Sequence, residues 1–205
     1  VRPGEVFGER RSAALLAEHG IPVVPSADVS TADQAVEAAE AVGYPVVVKA
    51  AAGGGGRGIR VVSSAPEMPA AFESARHEAL RAFGDPTVFV EKLLLGARHV
   101  EVQVLGDAWG TTWAVGVRDC TLQRRHQKVL EEAPAPTVPA DVEREMKAAA
   151  LRIARTAGYR NAGTVEFLYD PKSRTFAFLE VNARLQVEHT VTEMTTGLDL
   201  VKLQI

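Results

Sequence analysis

Hydrophobic and polar positions change period repeatedly along the chain, from the 3.6-residue spacing of a helix to the strict alternation of a strand, with no internal repeat and no low-complexity tract. The first helical stretch covers residues 9–19 and ends at Gly20, with Pro22 just beyond. Thr31 and Gln34 have the spacing of a capping box and predict a second helix ending near Gly43, after which Pro45 leads into the strand Val46-Val47-Val48-Lys49. A glycine loop at 53–58 separates that strand from Ile59-Arg60-Val61-Val62, and 66–83 reads as a third helix stopped by Gly84-Asp85-Pro86. Short alternating runs follow at 88–94, 99–105 and 111–117, with a turn at Gly106-Asp107. A fourth helix is expected at 140–157, and 164–169 with 176–181 reads as a hairpin. The strands come as antiparallel hairpins rather than βαβ units, so the fold class is α+β.

Composition narrows the function. The 205 residues, 46% hydrophobic and 24% charged, suffice for a packed core and exclude disorder. Lys+Arg 23 against Asp+Glu 26 gives a net charge of -3, so no global basic field exists to hold nucleic acid or an anionic membrane, and any polyanion has to be bound locally. The single Cys120 excludes a disulfide framework and a thiolate zinc site, and fits a reducing compartment. No apolar run reaches the roughly 20 residues of a membrane helix, so the expectation is a soluble, cytoplasmic protein. Val1 in place of an initiator Met, and an apolar-periodic tail at 198–205 with no Gly or Pro to end it, predict a domain cut from a longer chain.

The densest chemical signal is Lys49-Ala50-Ala51-Ala52-Gly53-Gly54-Gly55-Gly56-Arg57-Gly58, a strand-end lysine followed by glycines whose backbone N–H groups can wrap a phosphate. Gly53, Gly55 and Gly58 satisfy G-x-G-x-x-G, but a Rossmann loop opens a helix and this one opens a β-branched strand; a Walker A loop has its lysine after the glycines. A strand–loop–strand lid over phosphates is left, against the plainer reading of a mobile hairpin tip. The second signal is the hairpin. A turn centred on Ser173 sets Leu168 opposite Phe178, Phe167 opposite Leu179 and Glu166 opposite Glu180. Opposed carboxylates repel; a divalent cation between them reverses the penalty, and oxygen ligands suit Mg²⁺ or Mn²⁺ with phosphate completing the shell. A register shifted by one would leave one glutamate exposed instead.

Beyond Glu180, alternation carries Asn182, Arg184, Gln186 and Glu188 on the same face as far as the strand stays extended. That face offers a guanidinium able to hold a planar carboxylate-like anion bidentately and, in Glu188 beside a lysine or arginine, a base. A half-exposed strand shows the same alternation. The third signal is Gln123-Arg124-Arg125-His126-Gln127-Lys128, the only strongly basic stretch. Such a segment is usually a solvated loop, and it gains weight from the need for a phosphate-rich partner.

Taken together, Lys49 with the glycine loop, Glu91-Lys92, residues 123–128, Glu166 and residues 180–193 resemble the ATP-grasp biotin carboxylases, the biotin-carboxylating parts of acyl-CoA and pyruvate carboxylases. The resemblance runs almost end to end, and its most specific parts are Arg124-Arg125-His126-Gln127-Lys128 and Glu180-Val181-Asn182-Ala183-Arg184-Leu185-Gln186-Val187-Glu188-His189. It implies an ATP-grasp fold, two α+β lobes with antiparallel sheets gripping ATP between them: 1–50 leading into the small lobe, 46–92 the small lobe with its glycine lid, 93–205 the large lobe with the metal and bicarbonate site. ATP would be held by Lys49, Gly54, Gly55, Gly56, Arg57 and Gly58 at the phosphates, by Glu91, Lys92 and Leu94 at the adenine, by His99 near the ribose, and by Gln123, His126, Glu166 and Glu180. Glu166, Glu180 and Asn182 would take Mg²⁺ or Mn²⁺. Lys128, Arg184, Gln186, Val187 and Glu188 would hold bicarbonate, with Glu188, Lys128 and Arg184 catalytic and Glu188 the base.

The reaction implied is attack of bicarbonate on the γ-phosphate, giving carboxyphosphate and ADP, and transfer of the carboxyl group through CO₂ to N1′ of biotin on a carrier domain or protein. A carboxyltransferase component, a homo-oligomeric parent and a place in an acyl-CoA carboxylase such as those of acetyl-CoA or propionyl-CoA, with fatty acid biosynthesis as the setting, belong to the same expectation. No contact with nucleic acid or a membrane is expected. The chain departs from the family at Gly8-Glu9-Arg10, where a lysine is usual at the third place, and at Ala52, where the glycine run usually begins. The family's N-terminal Rossmann-like domain and its enolate-stabilising arginine fall outside the 205 residues, and Met146-Lys147 lacks the second Met of a biotinylation site. Two alternatives stand beside this reading: another acyl-phosphate-forming ATP-grasp ligase such as a carbamoyl-phosphate synthase-like domain, against which Lys128, Arg184 and Glu188 speak, and a module that binds MgATP without turnover.

Overall fold

The computed structural model describes residues 9–52, 59–125 and 127–205, with Glu9 as backbone only. The chain divides into two compact units, one of residues 9–15 and Val24–Leu95, the other of Leu16–Val23 and Gly96–Ile205.

The first unit contains the opening turns of α1 (Glu9–Glu18), β1 (Ser26–Val29), α2 (Ala32–Val42), β2 (Val46–Ala50), β3 (Arg60–Val62), α3 (Met68–Phe83) and β4 (Val88–Lys92). Its antiparallel sheet has the order β1-β4-β2-β3. The expected capping box is half formed: Thr31 Oγ1 accepts from the Gln34 N–H at 3.2 Å, but Gln34 Oε1 accepts from Ser30 N–H at 2.9 Å rather than from Thr31. The valine run of β2 reflects burial on both faces. Val46, Val48 and Ala50 pack with Val88 and Val90 against Ala35, Ala39, Met68 and Phe72, while the alternate residues Val47 and Lys49 lie opposite Glu91 and Phe89 of β4. The register therefore gathers Lys49, Phe89 and Glu91 on the face that α2 and α3 leave open.

The second unit contains β5 (Arg98–Gly106), β6 (Thr112–Arg124), β7 (Gln127–Glu132), α4 (Ala140–Thr156), β8 (Asn161–Asp170), β9 (Thr175–Asn182), α5 (His189–Thr196) and α6 (Leu200–Leu203). Its antiparallel sheet has the order β7-β6-β5-β8-β9, with β7 and β9 at the edges. Period-two alternation sorts β5: Val100, Val102 and Val104 join Val165, Phe167 and Tyr169 of β8 under Met146, Ala149, Ala150 and Ile153 of α4. Each such fully buried apolar side chain is worth roughly 1.5–3 kcal/mol. His99, Glu101 and Gln103 take the opposite face, where Gly116 of β6 brings α5 close: a Cβ there would lie 3.3 Å from Thr192 Cγ2.

Three expectations are corrected. Glu166 does face Glu180, but Leu179 is an extra residue that bulges β9, so the pairs nearer the turn are Phe167 with Phe178 and Leu168 with Ala177. The turn itself sets the lower ladder one residue out of phase with a single constant register. Second, β9 stops at Asn182 and residues 183–188 run irregularly into α5, so Arg184, Gln186 and Glu188 do not share a strand face with Glu180. Third, the basic segment is not a loop: β6 runs on to Arg124, turns at Arg125 (φ 52) and returns as β7.

Candidate active site

Glu166, 2% exposed in the middle of β8, is the hub. Its Oε1 accepts from Lys128 Nζ and Asn182 Nδ2, both at 2.8 Å, and from Gln186 Nε2 at 3.3 Å. Its Oε2 accepts from His99 Nε2 at 2.5 Å, and Gln123 Nε2 lies 2.8 Å from His99 Nδ1. Lys128 Nζ uses its three donors on three carboxylates, Glu101 Oε2 at 2.6 Å, Glu166 Oε1 at 2.8 Å and Glu188 Oε1 at 2.6 Å. Glu101 lies directly across from Glu166 on the neighbouring strand, is fully buried, and takes Arg118 Nε on its Oε1 at 2.5 Å.

Burial alone would neutralise such groups, and the pairing reverses that. Glu166 is pushed up by burial, but the hydrogen bonds and charge of His99 and Lys128 outweigh it and hold the carboxyl well below the usual carboxylate range. Glu188 is likewise lowered, burial being overcome chiefly by Lys128. Burial works against the Lys128 ammonium, yet the charges of Glu101 and Glu166 raise its pKa. Cys120, beside these groups, is pushed up by burial and then by Glu101, and stays a thiol. At neutral pH the cluster therefore holds two ionised carboxylates, Glu166 and Glu188, around a fixed ammonium.

The other expected residues fall as follows. Glu180 is exposed and accepts from Asn182 Nδ2 at 3.2 Å. Arg184 is exposed, with Nη2 3.4 Å from Asn182 Oδ1. Val187 is 89% exposed, whereas its neighbours Gln186 and Glu188 are buried, Gln186 accepting from Thr164 Oγ1. In the first unit, Lys49 Nζ lies 3.2 Å from Glu91 Oε1 and 5.6 Å from the Phe89 ring centroid. Lys92 donates to the backbone carbonyls of Gly43 at 2.6 Å and Tyr44 at 3.1 Å, and Leu94 is half-buried. Arg10, in the place where the family has lysine, forks onto Asp28 at 2.7 and 3.0 Å. Gly54, Gly55, Gly56, Arg57, Gly58 and His126 lie outside the described residues. Glu101 and Arg118 were not anticipated, although the alternation of 99–105 already put Glu101 on the face of His99.

Among the described residues, two groups made of His, Cys and Glu side chains are close enough to take a divalent ion. His99, Glu101 and Glu166 converge within 4.8 Å, as do Glu101, Cys120 and Glu188, but the Lys128 ammonium already bonds to three of these carboxylates. Glu166, Glu180 and Asn182 fit Mg²⁺ better: the paired register opposes the carboxylates, and one amide group bridges both at 2.8 and 3.2 Å. Turned over, that amide presents Oδ1 as a third oxygen ligand.

An antiparallel sheet of buried valines with a buried lysine on the face away from α2 and α3, and a second sheet carrying opposed carboxylates beside a lysine–carboxylate cluster, define an ATP-grasp ATP-binding domain. The chain belongs to the family of the carbamoyl-phosphate synthase L chain ATP-binding domain, which it matches over residues 9–205. Within that class its likeness is to biotin carboxylases. It is 53% identical to pyruvate carboxylase 1 of Caenorhabditis elegans over 100% of this chain and 17% of that protein. The biotin carboxylase of Campylobacter jejuni, solved as a β,γ-ATP complex, superimposes with a TM-score of 0.89 at 44% identity, over 96% of this chain and 45% of that one. The biotin carboxylase domain dimer of the 2-oxoglutarate carboxylase of Hydrogenobacter thermophilus, with MgADP, ADP and bicarbonate, gives 0.89 at 40% identity, over 96% and 44%. The chain thus spans less than half the length of these relatives.

Proposed function

We propose that this chain is the ATP- and bicarbonate-handling part of a biotin carboxylase, a ligase that carboxylates biotin on a carrier at the expense of ATP. The observation that carries the reading is Lys128, whose Nζ joins the metal-ligand carboxylate Glu166 to the base Glu188 at 2.8 and 2.6 Å and so sets an anion pocket beside a metal pocket. Lys49 and residues 53–58 hold the phosphates, Glu91, Lys92 and Leu94 the adenine side, and His99, Gln123 and His126 the remaining nucleotide contacts. Glu166, Glu180 and Asn182 hold Mg²⁺ or Mn²⁺, which supplies charge neutralisation for phosphoryl transfer. Bicarbonate lies between Lys128, Arg184, Gln186 and Val187. As it takes an N–H from Lys128, Glu188 loses part of the pairing that now depresses its basicity and becomes able to accept the bicarbonate proton. The bicarbonate oxygen then attacks the γ-phosphorus and ADP leaves; carboxyphosphate splits into CO₂ and inorganic phosphate, and N1′ of biotin bonds to CO₂ as it gives its proton to that phosphate.

The carrier domain or protein, a carboxyltransferase component and a homo-oligomeric assembly follow from the same reading, which the dimer of the Hydrogenobacter thermophilus domain supports. The final acceptor is an acyl-CoA or, as the names of the pyruvate and 2-oxoglutarate carboxylases favour, a 2-oxo acid. No helix of the described residues is long and apolar enough to cross a membrane.

In the full product of the reading frame, ATP hydrolysis that requires both bicarbonate and biotin is the expected result. Hydrolysis that does not depend on biotin would favour another acyl-phosphate-forming ligase, and absence of hydrolysis the module that binds MgATP without turnover. The 205 residues alone should bind MgATP weakly and give no carboxybiotin from isotope-labelled bicarbonate. Lys49→Ala should weaken ATP roughly tenfold by calorimetry while sparing AMP, because the lost contact is a charge-assisted one to phosphate. Equal loss for both nucleotides would assign Lys49 to the adenine side.

A further inference from the structure

Lys128 comes from β7 and Glu188 from the N-cap of α5, two elements that share no strand pairing. One buried side chain is linked to both, to Lys128 through Glu101 and to α5 through Thr192. Arg118 of β6 is fully buried; its Nε donates to Glu101 Oε1 at 2.5 Å, Nη2 lies 2.5 Å from the same oxygen, and Nη1 donates to Gln103 Oε1 and Thr192 Oγ1, both at 2.8 Å. The other oxygen of Glu101 accepts from Lys128. Thr192 stands four residues after Glu188, one turn into α5, and is 1% exposed. It rests on Gly116, the position where any side chain would crowd its Cγ2. A guanidinium this deep is costly unless it is paired; Nε and Nη1 are hydrogen-bonded while Nη2, although close to Glu101, makes no hydrogen bond among the described residues, and the reaction proposed above gives Arg118 no substrate contact.

We propose that Arg118 and Thr192 are positioning residues that fix the spacing between Lys128 and Glu188. The guanidinium grips Glu101, which seats the lysine, and at the same time pins the first turn of α5, which carries the base. Without the pin α5 can lift from β6, and the ammonium and the base carboxylate separate although neither has been altered. The inference rests on the bicarbonate roles given to Lys128 and Glu188 under the proposed function.

Thr192→Val keeps the side-chain shape and removes the acceptor; Thr192→Ser keeps the acceptor. Cys120 is the chain's one cysteine, fully buried, with its sulfur within 4.8 Å of the carboxylate oxygens of Glu101 and Glu188, so its reaction with dithiobis(nitrobenzoate) reports the lifting of α5 without any turnover. T192V should label about tenfold to a hundredfold faster than the unaltered chain, the range expected for loss of a hydrogen bond to a charged donor. T192S should label at the original rate. In bicarbonate-dependent ATP hydrolysis by the full product of the reading frame, T192V should raise KM for bicarbonate about tenfold with KM for MgATP unchanged, and T192S should restore it. Equal labelling of T192V and the unaltered chain, or a parallel rise in both KM values, overturns the proposal. If T192V does not fold, Gly116→Ala, which crowds Thr192 from below without touching Arg118, should produce the same faster labelling and the same one-sided KM change, and its failure to do so is equally decisive. Absence of bicarbonate-dependent hydrolysis in the unaltered protein would defeat the functional reading instead, and labelling then judges the pin by itself.

Discussion

Lys128→Met should destabilise the chain by about 3–5 kcal/mol at neutral pH, the cost of leaving buried charges without their partner, and should abolish bicarbonate-dependent turnover. The methionine fills the space of the lysine stem but leaves Glu101, Glu166 and Glu188 facing one another across the place where the ammonium stood. The pH dependence gives the second signature. In the unaltered chain Glu166 and Glu188 are held low, so the stabilisation they contribute is complete above the ordinary glutamate value of 4.5 and is lost as the pH falls below it. In the variant the crowded carboxylates titrate above that value, and acid relieves repulsion instead of removing attraction. Urea unfolding at pH 7 and again near pH 4 should therefore show a wide stability gap that closes on acidification. The same midpoint for both proteins at neutral pH would mean that the ammonium is not what holds the three carboxylates together.

Glu180→Lys should lower Mg²⁺-dependent nucleotide affinity roughly a hundredfold or more, since an ammonium then occupies the position facing Glu166 and repels the divalent ion. Glu180 is exposed and bonded only to Asn182 among the described contacts, so the fold should be perturbed by no more than about 0.5 kcal/mol. A calorimetric titration showing unchanged MgATP affinity would remove Glu180 from the metal site. The contrast with Lys128→Met is diagnostic: one variant loses Mg²⁺-dependent nucleotide binding and keeps its stability, the other loses stability and bicarbonate-dependent turnover.

The elements visible in the sequence were those with a strong local signal. α2 was announced by Thr31 and Gly43, α4 by its 3.6-residue apolar stripe, and β5 by alternation. Glu166 faces Glu180 as expected, but through two offsetting departures: the turn sets the ladder one residue out of phase and the bulge at Leu179 restores it. The bulge at Leu179 was not legible, since an extra strand residue leaves no mark in a pattern of mixed polar and apolar positions. β1, with two polar residues among its four, and β7, in which Lys128 faces the cluster between exposed neighbours, carry no apolar face, and only their pairing partners make them strands. Residues 183–188 read as a continued strand because polar and apolar side chains alternate there; the exposure of Arg184 against the burial of Gln186 and Glu188 breaks that period, and irregular chain closes over Glu166 instead. The Glu101–Arg118 pair escaped because its meaning is purely non-local: a charge in an alternating strand looks solvated until another strand buries it.

The place of Lys128 on β7 bears on how long the site stays assembled. An edge strand has a neighbour on one side only, and the β6–β7 ladder is broken by two register shifts, so little more than the pairs of Gln123 with Lys128 and Arg124 with Gln127 zips the tip of the hairpin. Such segments fray on their own, without unfolding of the whole. The three ionic bonds from Lys128 then serve as the clasp of that strand as much as its chemistry, and amide hydrogen exchange along residues 127–132 would measure how often the lysine leaves its carboxylates. Whatever draws one of those bonds away, an arriving anion included, also loosens the edge that presents it.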